Sequence, residues 1–161
     1  MVRHVPSSAH GGVKAQRRFV FVHEDLWTDE KFLSLSTDAR LLFMWSWMPP
    51  HAAVCGLYKA TAEDIIRALG PSRMLKGDDD VQERLLRASL ALRELHMAGM
   101  VEYDKANEVI WVVNRVKHAP HTPKAINYMQ GEVFLCPDSP LVDRFISRWG
   151  RLLQINGRDR S

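Results

Sequence analysis

The chain has almost no cysteine, with Cys55 and Cys136 as the whole complement of 161 residues. Neither has a second Cys or a His at metal-site spacing, which excludes a thiolate zinc module. Two isolated thiols suit a reduced, cytoplasmic setting, and a disulfide between them is allowed but not indicated. No run approaches the roughly eighteen apolar residues that span a bilayer, and the N-terminus has no apolar signal core. No phosphate-cradling GxxxxGK[ST] run occurs. No serine or cysteine stands in a nucleophile context, and no carboxylate pair is placed for acid–base work. His118-x-x-His121 lacks the rest of a ligand set. Asp78-Asp79-Asp80 reads as a solvated run favoured at a helix start rather than a divalent-cation site. The expectation is a protein that is not an enzyme, with no metal, cofactor, small-molecule substrate or membrane contact.

What is present is apolar bulk and a modest positive charge. Five tryptophans argue for a substantial core, and a formal net charge of +3 permits binding to nucleic acid without demanding it. The stretch 81–113 organises the rest. Val81, Leu85, Ala88, Leu92 and Leu95 recur at helical spacing as one apolar stripe, with Asp80 as candidate N-cap and Gly99 as the left-handed stop. His96, near that stripe, reads as a hydrogen-bonded structural histidine. Met100–Tyr103 and Val109–Val113 are β-rich runs joined by polar residues 104–108. Helix, glycine and hairpin in this order is the second half of a winged helix-turn-helix, in which the helix reads DNA and the hairpin is the wing.

Upstream, residues 1–18 contain Arg17 and Arg18 and no acid, and read as a disordered basic arm or simply a floppy start. Phe19–Val22 is a candidate strand. Thr28-Asp29-Glu30 opens a brief helix. Ser36 caps a helix over 37–48 that is apolar nearly all round, so burial on several sides is expected. Gly56-Leu57-Tyr58 reads as a strand, and Thr61 caps a helix carrying Ile65, Ile66 and Leu69. The connection from Gly70 to Asp80 exceeds the tight turn of the motif. It reads as a solvated insertion, or as a loop touching phosphates through Arg73 and Lys76. Residues 114–123 are polar and broken by proline, which suggests a boundary. Beyond it, residues 125–129 read as a short helix and 141–153 as a longer one, with Arg144, Arg148 and Arg151 on one face. The expected fold class is α+β, mainly α: a winged helix-turn-helix over 19–118, a helical extension over 119–155 and a disordered tail over 156–161.

The run LWTDEKFLSLSTDARLLFMW (26–45) resembles the opening of winged-helix domains in phage replisome organisers and DnaD-type primosomal proteins. So do Gly56-Leu57-Tyr58 before a capped helix, and the pattern Leu92, Leu95, Gly99, Val101, Glu102, Tyr103. Trp111-Val112-Val113-Asn114, Val116-Lys117-His118, TPKAINYM and SPLVDRF extend the likeness over roughly 19–150. The resemblance implies a DNA-binding module of replication initiation or primosome organisation, of phage or prophage origin. A transcriptional regulator shares the same fold.

On such a domain, cations neutralise phosphates and helix side chains reach base edges. Arg84 and Arg87 lie near the N-terminal end of the long helix, with Gln82 and Ser89 able to meet bases. Lys105 and Asn107 fall at the wing tip, and Arg115 and Lys117 follow the wing. The candidate contacts to DNA, expected as duplex, are therefore Arg17, Arg18, Arg73, Lys76, Gln82, Arg84, Arg87, Lys105, Arg115 and Lys117. Against this, Leu86, Leu90 and Met97 form a second apolar stripe, with Glu83 and Glu94 on the same side. Such a ribbon favours packing on another surface, so a homodimer or a replication-protein partner is the rival expectation.

Overall fold

The computed structural model describes residues 24–49, 52–70 and 77–155. The basic arm with Arg17 and Arg18, the strand expected over 19–22, the loop cations Arg73 and Lys76 and the tail over 156–161 lie outside the described residues.

Local signals start and stop most elements. After a 3-10 turn at Glu24–Thr28, helix α1 (Glu30–Ser34) begins where the Asp29 carboxylate accepts the Phe32 N–H at 3.0 Å. Helix α2 (Thr37–Trp47) is capped by Ser36, as expected. Helix α3 (Ala62–Ala68) carries a full capping box, in which Thr61 and Asp64 satisfy each other's backbone N–H groups. The long helix α4 (Asp78–Met97) departs from expectation at its start. Gly77 at φ +69° is its N-cap, and Asp80 lies within the first turn and pairs with Arg84 four residues on. Its end is as expected: Gly99 takes φ +67°, and the Gly99 and Met100 amides donate to the His96 and Leu95 carbonyls.

Strands β1 (Leu57–Lys59), β2 (Val101–Asp104) and β3 (Val109–Val112) form one antiparallel sheet in the order β1-β3-β2. Leu57 stands opposite Trp111, and Val101 opposite Val112. A 3-10 turn at Arg115–His118 leads to helix α5 (Pro123–Leu135) and then α6 (Pro140–Leu153). Helix α5 runs well beyond the short segment expected, started by Thr122 and by Pro123 in the first turn. The molecule is thus mainly helical with a small three-stranded sheet. Among the described residues, no helix is long and apolar enough to cross a membrane.

Packing revises the expected burial of the helices. On α4, Val81 is exposed and Leu85 and Leu92 are half-buried, while Ala88, Ala91 and Leu95 are buried. Helix α2 lies along α4, and two alanines in the buried arc allow close approach. On α2, Ala39, Leu42 and Phe43 are buried, but Leu41 faces outward. Packing also runs on across 114–123. Val116 is fully buried, and Met129, Val133, Phe145 and Leu153 belong to the same core as Leu42, Leu57 and Leu95. Helix α6 lies on the sheet, with the Phe145 ring edge-on to Trp111 at 5.9 Å between centroids. Every residue of β3 is therefore buried, because α6 closes the face that a bare sheet would leave wet.

Candidate nucleic-acid interface

The two arginines expected to lead into a groove are both held by acids. Arg84 meets Asp80 at 2.9 Å, with both side chains mostly covered. Arg87 grips Asp38 of α2 with two parallel hydrogen bonds, Nε to Oδ2 at 2.8 Å and Nη2 to Oδ1 at 2.7 Å. To meet a phosphate, Arg87 would first have to leave a bidentate carboxylate. The pair clamps α4 to α2, and the Ser36 N–H, donating to Glu94 at 2.8 Å, adds a second tie nearby. Glu94 therefore faces α2 and is not a free acid beside the apolar stripe.

The Arg87 guanidinium holds the Asp38 carboxyl below its ordinary value. A depressed folded-state pKa gives stability that is present above the unfolded value and lost as pH falls through the folded one. The gap in denaturant midpoint between the native chain and Asp38→Asn is expected to hold from about pH 7 to 5 and to shrink below about pH 4. Urea titrations across that range measure it. A gap unchanged at the acid end would rule out the ion pair as its source.

Arg115 is a correction. Expected at the surface, it is buried and turned inward. Its Nη1 donates to the Trp47 carbonyl at 2.9 Å and the Ser46 carbonyl at 3.3 Å, and its guanidinium sits over the Trp47 ring at 5.1 Å. It is thus a plug for orphan carbonyls at the C-terminal end of α2, where a cation is favoured. Tyr58 donates its hydroxyl to the same Ser46 carbonyl at 2.8 Å. Burial lowers the Arg115 pKa and raises that of Tyr58.

Gln82, Lys105 and Lys117 are exposed. Lys105 sits at the hairpin tip, which Asp104 shapes by accepting the Ala106 and Asn107 amides at 3.0 and 3.3 Å. Asn107 folds back, its side-chain amide donating to Asp104 at 2.7 Å. The Ser89 hydroxyl donates to the Leu85 carbonyl at 2.9 Å. On the outward face of α4, Leu86, Leu90 and Met97 are 62%, 52% and 79% exposed. Arg93 and His96 are exposed beside them, so His96 is a surface residue and not the structural histidine expected.

The sequence groups three arginines on α6 without placing them. Ser139, the N-cap of α6, donates its hydroxyl to Asp104 at the end of β2 at 2.6 Å. Arg144 pairs with Glu102 of β2, one contact being Nη2 to Oε1 at 2.7 Å. Arg148 donates to the Asn114 side chain at 3.0 Å and lies over the Trp149 ring, while Trp149 Nε1 donates to the Val113 carbonyl at 3.3 Å. Helix α6 is therefore fastened along the β2–β3 hairpin from tip to base.

The histidine pair divides between different partners. His118 stands edge-on to Trp47, and His121 Nε2 is 2.9 Å from the Val116 carbonyl. Cys55 and Cys136 are both buried, and burial pushes the Cys55 thiol well up. A cleft of about 540 Å³ opens among Leu26, Phe43, Met44, Trp47 and Met100, with Asp25 and Asp29 in its lining. Lys31 and His118 line it as well, so its rim carries both signs of charge.

Sheet, helices and exposed cations thus define an α+β, mainly helical protein with one covered sheet. No family model matches the chain, and no curated protein or solved structure matches it either.

Proposed function

We propose that the chain is a winged-helix protein that binds duplex DNA in replication initiation or primosome organisation. The observation that carries the reading is topological. Helix α2, strand β1, helices α3 and α4 and then a hairpin follow in order, and the first strand pairs with the last. This order supports a winged helix-turn-helix reading, with α4 as recognition helix and β2–β3 as wing. An exposed Lys105 at the wing tip and an exposed Gln82 near the start of α4 support it. The replication role rests on the resemblance to phage replisome organisers and DnaD-type proteins. Selection of bound sequences from a random duplex pool tests both halves. Enrichment of a repeated origin-like element is the expected result, a palindromic operator would favour a transcriptional regulator, and no enrichment with no retained DNA rejects the reading.

One observation favours a second reading, a protein contact through α4. Leu86, Leu90 and Met97 lie bare on a helix face whose nearby arginines are partly spent on acids. On that reading Leu90→Asp abolishes self-association in light scattering. A chain that is monomeric with or without the substitution removes self-association as its use.

A further inference from the structure

We infer that α6, and not the N-terminal end of α4, carries the phosphate-tracking surface of this protein. The inference rests on the DNA-binding reading and says where on the fold the backbone lies. At 100° per residue, Arg144, Arg148 and Arg151 fall within an arc of about 60° on α6. All three are exposed. Seven residues at about 1.5 Å each give a ridge of roughly 10 Å, which matches the axial rise of about three phosphates on one strand.

The charge balance separates this ridge from α4. Arg84 and Arg87 are each answered by a carboxylate. Of the three arginines on α6, Arg144 has an acid partner among the described residues, Glu102. Arg148 is held by a neutral amide and an aromatic ring, so its position is fixed while its charge is kept. Arg151 is exposed one turn further on. Asp143, the acid within α6, lies about 100° from Arg144 around the helix and outside the arc.

Neighbouring elements extend the same surface. Lys117 is exposed in the 3-10 turn that starts at Arg115, and its amide donates to the carbonyl of Asn114, whose side chain holds Arg148. At the other end, the Ser139–Asp104 bond sets the start of α6 beside the wing, one residue from Lys105. Cations thus run from wing tip to wing base along one helix. Within the arc of the three arginines α6 carries no apolar side chain, whereas protein interfaces have an apolar centre. Such a ridge suits contacts that position DNA and carry no sequence information.

The test uses the full chain and a fluorescein-labelled duplex of random sequence, about two helical turns long, followed by anisotropy across a salt series. In Arg148→Gln/Arg151→Gln, affinity at low salt is expected to fall at least about tenfold. The slope of log affinity against log salt is expected to become shallower by roughly two, one for each phosphate no longer neutralised. Arg151→Glu alone leaves the bond from Arg148 to Asn114 in place and is expected to shift affinity in the same direction, and thermal melting checks that each variant is folded. Arg93→Gln on α4 is expected to leave the slope within about half a unit of the native one. If the native chain binds and the α6 variants keep its affinity and slope, the inference is overturned while the DNA reading stands. If the native chain fails to bind duplex at low salt, the DNA reading falls and the inference with it.

Discussion

Phe145→Ala is expected to destabilise the protein by about 3–5 kcal/mol, the usual range for emptying a buried phenylalanine site. Phe145 is fully buried, and its ring is the one that α6 sets against Trp111. Removing it opens a cavity between helix and sheet, and the edge-on aromatic pair accounts for about 0.5–1.5 kcal/mol of its own. The neighbouring bonds, Ser139 to Asp104 and Trp149 to Val113, keep the backbone from collapsing to refill the space. For a chain of this size the melting temperature should fall by roughly 6–20 °C. Differential scanning calorimetry measures it, with tryptophan emission reporting solvent at Trp111. A loss under about 1 kcal/mol would mean that α6 is an appendage and not part of the core.

Gly56→Ala should be nearly as damaging, and for a different reason. Gly56 has φ +81°, a conformation that costs an L side chain about 1 kcal/mol. In addition, an added Cβ would lie 2.7 Å from Cβ of Arg115 and 3.0 Å from the Val112 carbonyl oxygen. Neither neighbour can retreat, since Val112 is in the central strand and donates its amide to the Gly56 carbonyl at 2.8 Å. Arg115 is pinned to the end of α2. Overpacking of this kind adds about 1–3 kcal/mol, for a total of about 2–4 kcal/mol. Gly99 is the internal control: its φ is +67° and an added Cβ meets nothing within 4 Å. Gly99→Ala should therefore cost only about 1 kcal/mol. Equal losses for the two variants, measured by urea unfolding, would sink the steric argument and leave backbone strain alone.

Much of the fold is legible in the sequence because its signals are local. Ser36, Thr61 and Ser139 are short polar side chains in front of apolar periodic runs, and each caps the helix that follows. Gly99 stands where a left-handed residue ends α4 and turns the chain into β2. The start of α4 is misleading because Asp80 has the right chemistry for a cap but lies three residues too late, after the aspartate run has already entered the helix. The covering of the sheet by α6 also has a signature in the chain. Val109 to Val113 is a continuous apolar run without alternation, which is the mark of a strand buried on both faces.

The candidate site is less legible. Arg84, Arg87 and Arg115 look alike in sequence, as cations near a helix start or a wing. Arg87 finds Asp38 at a separation of 49 residues, and Arg115 finds the Trp47 carbonyl at a separation of 68. Periodicity places a side chain on a face of its own helix but does not say which partner that face meets. The apolar stripe of Leu86, Leu90 and Met97 is legible for the opposite reason. Its positions follow from the helix repeat alone, and all three side chains stay exposed among the described residues.

By itself, then, the sequence determined the order of helices and strands, most of their caps and the outward ribbon of α4, because each depends on residues within a turn or two of one another. Only the tertiary structure decided which positive charges are spent and which remain available. A guanidinium is neutralised by whatever carboxylate or carbonyl the fold brings within about 3 Å, and that distance is set by chain segments far apart in sequence.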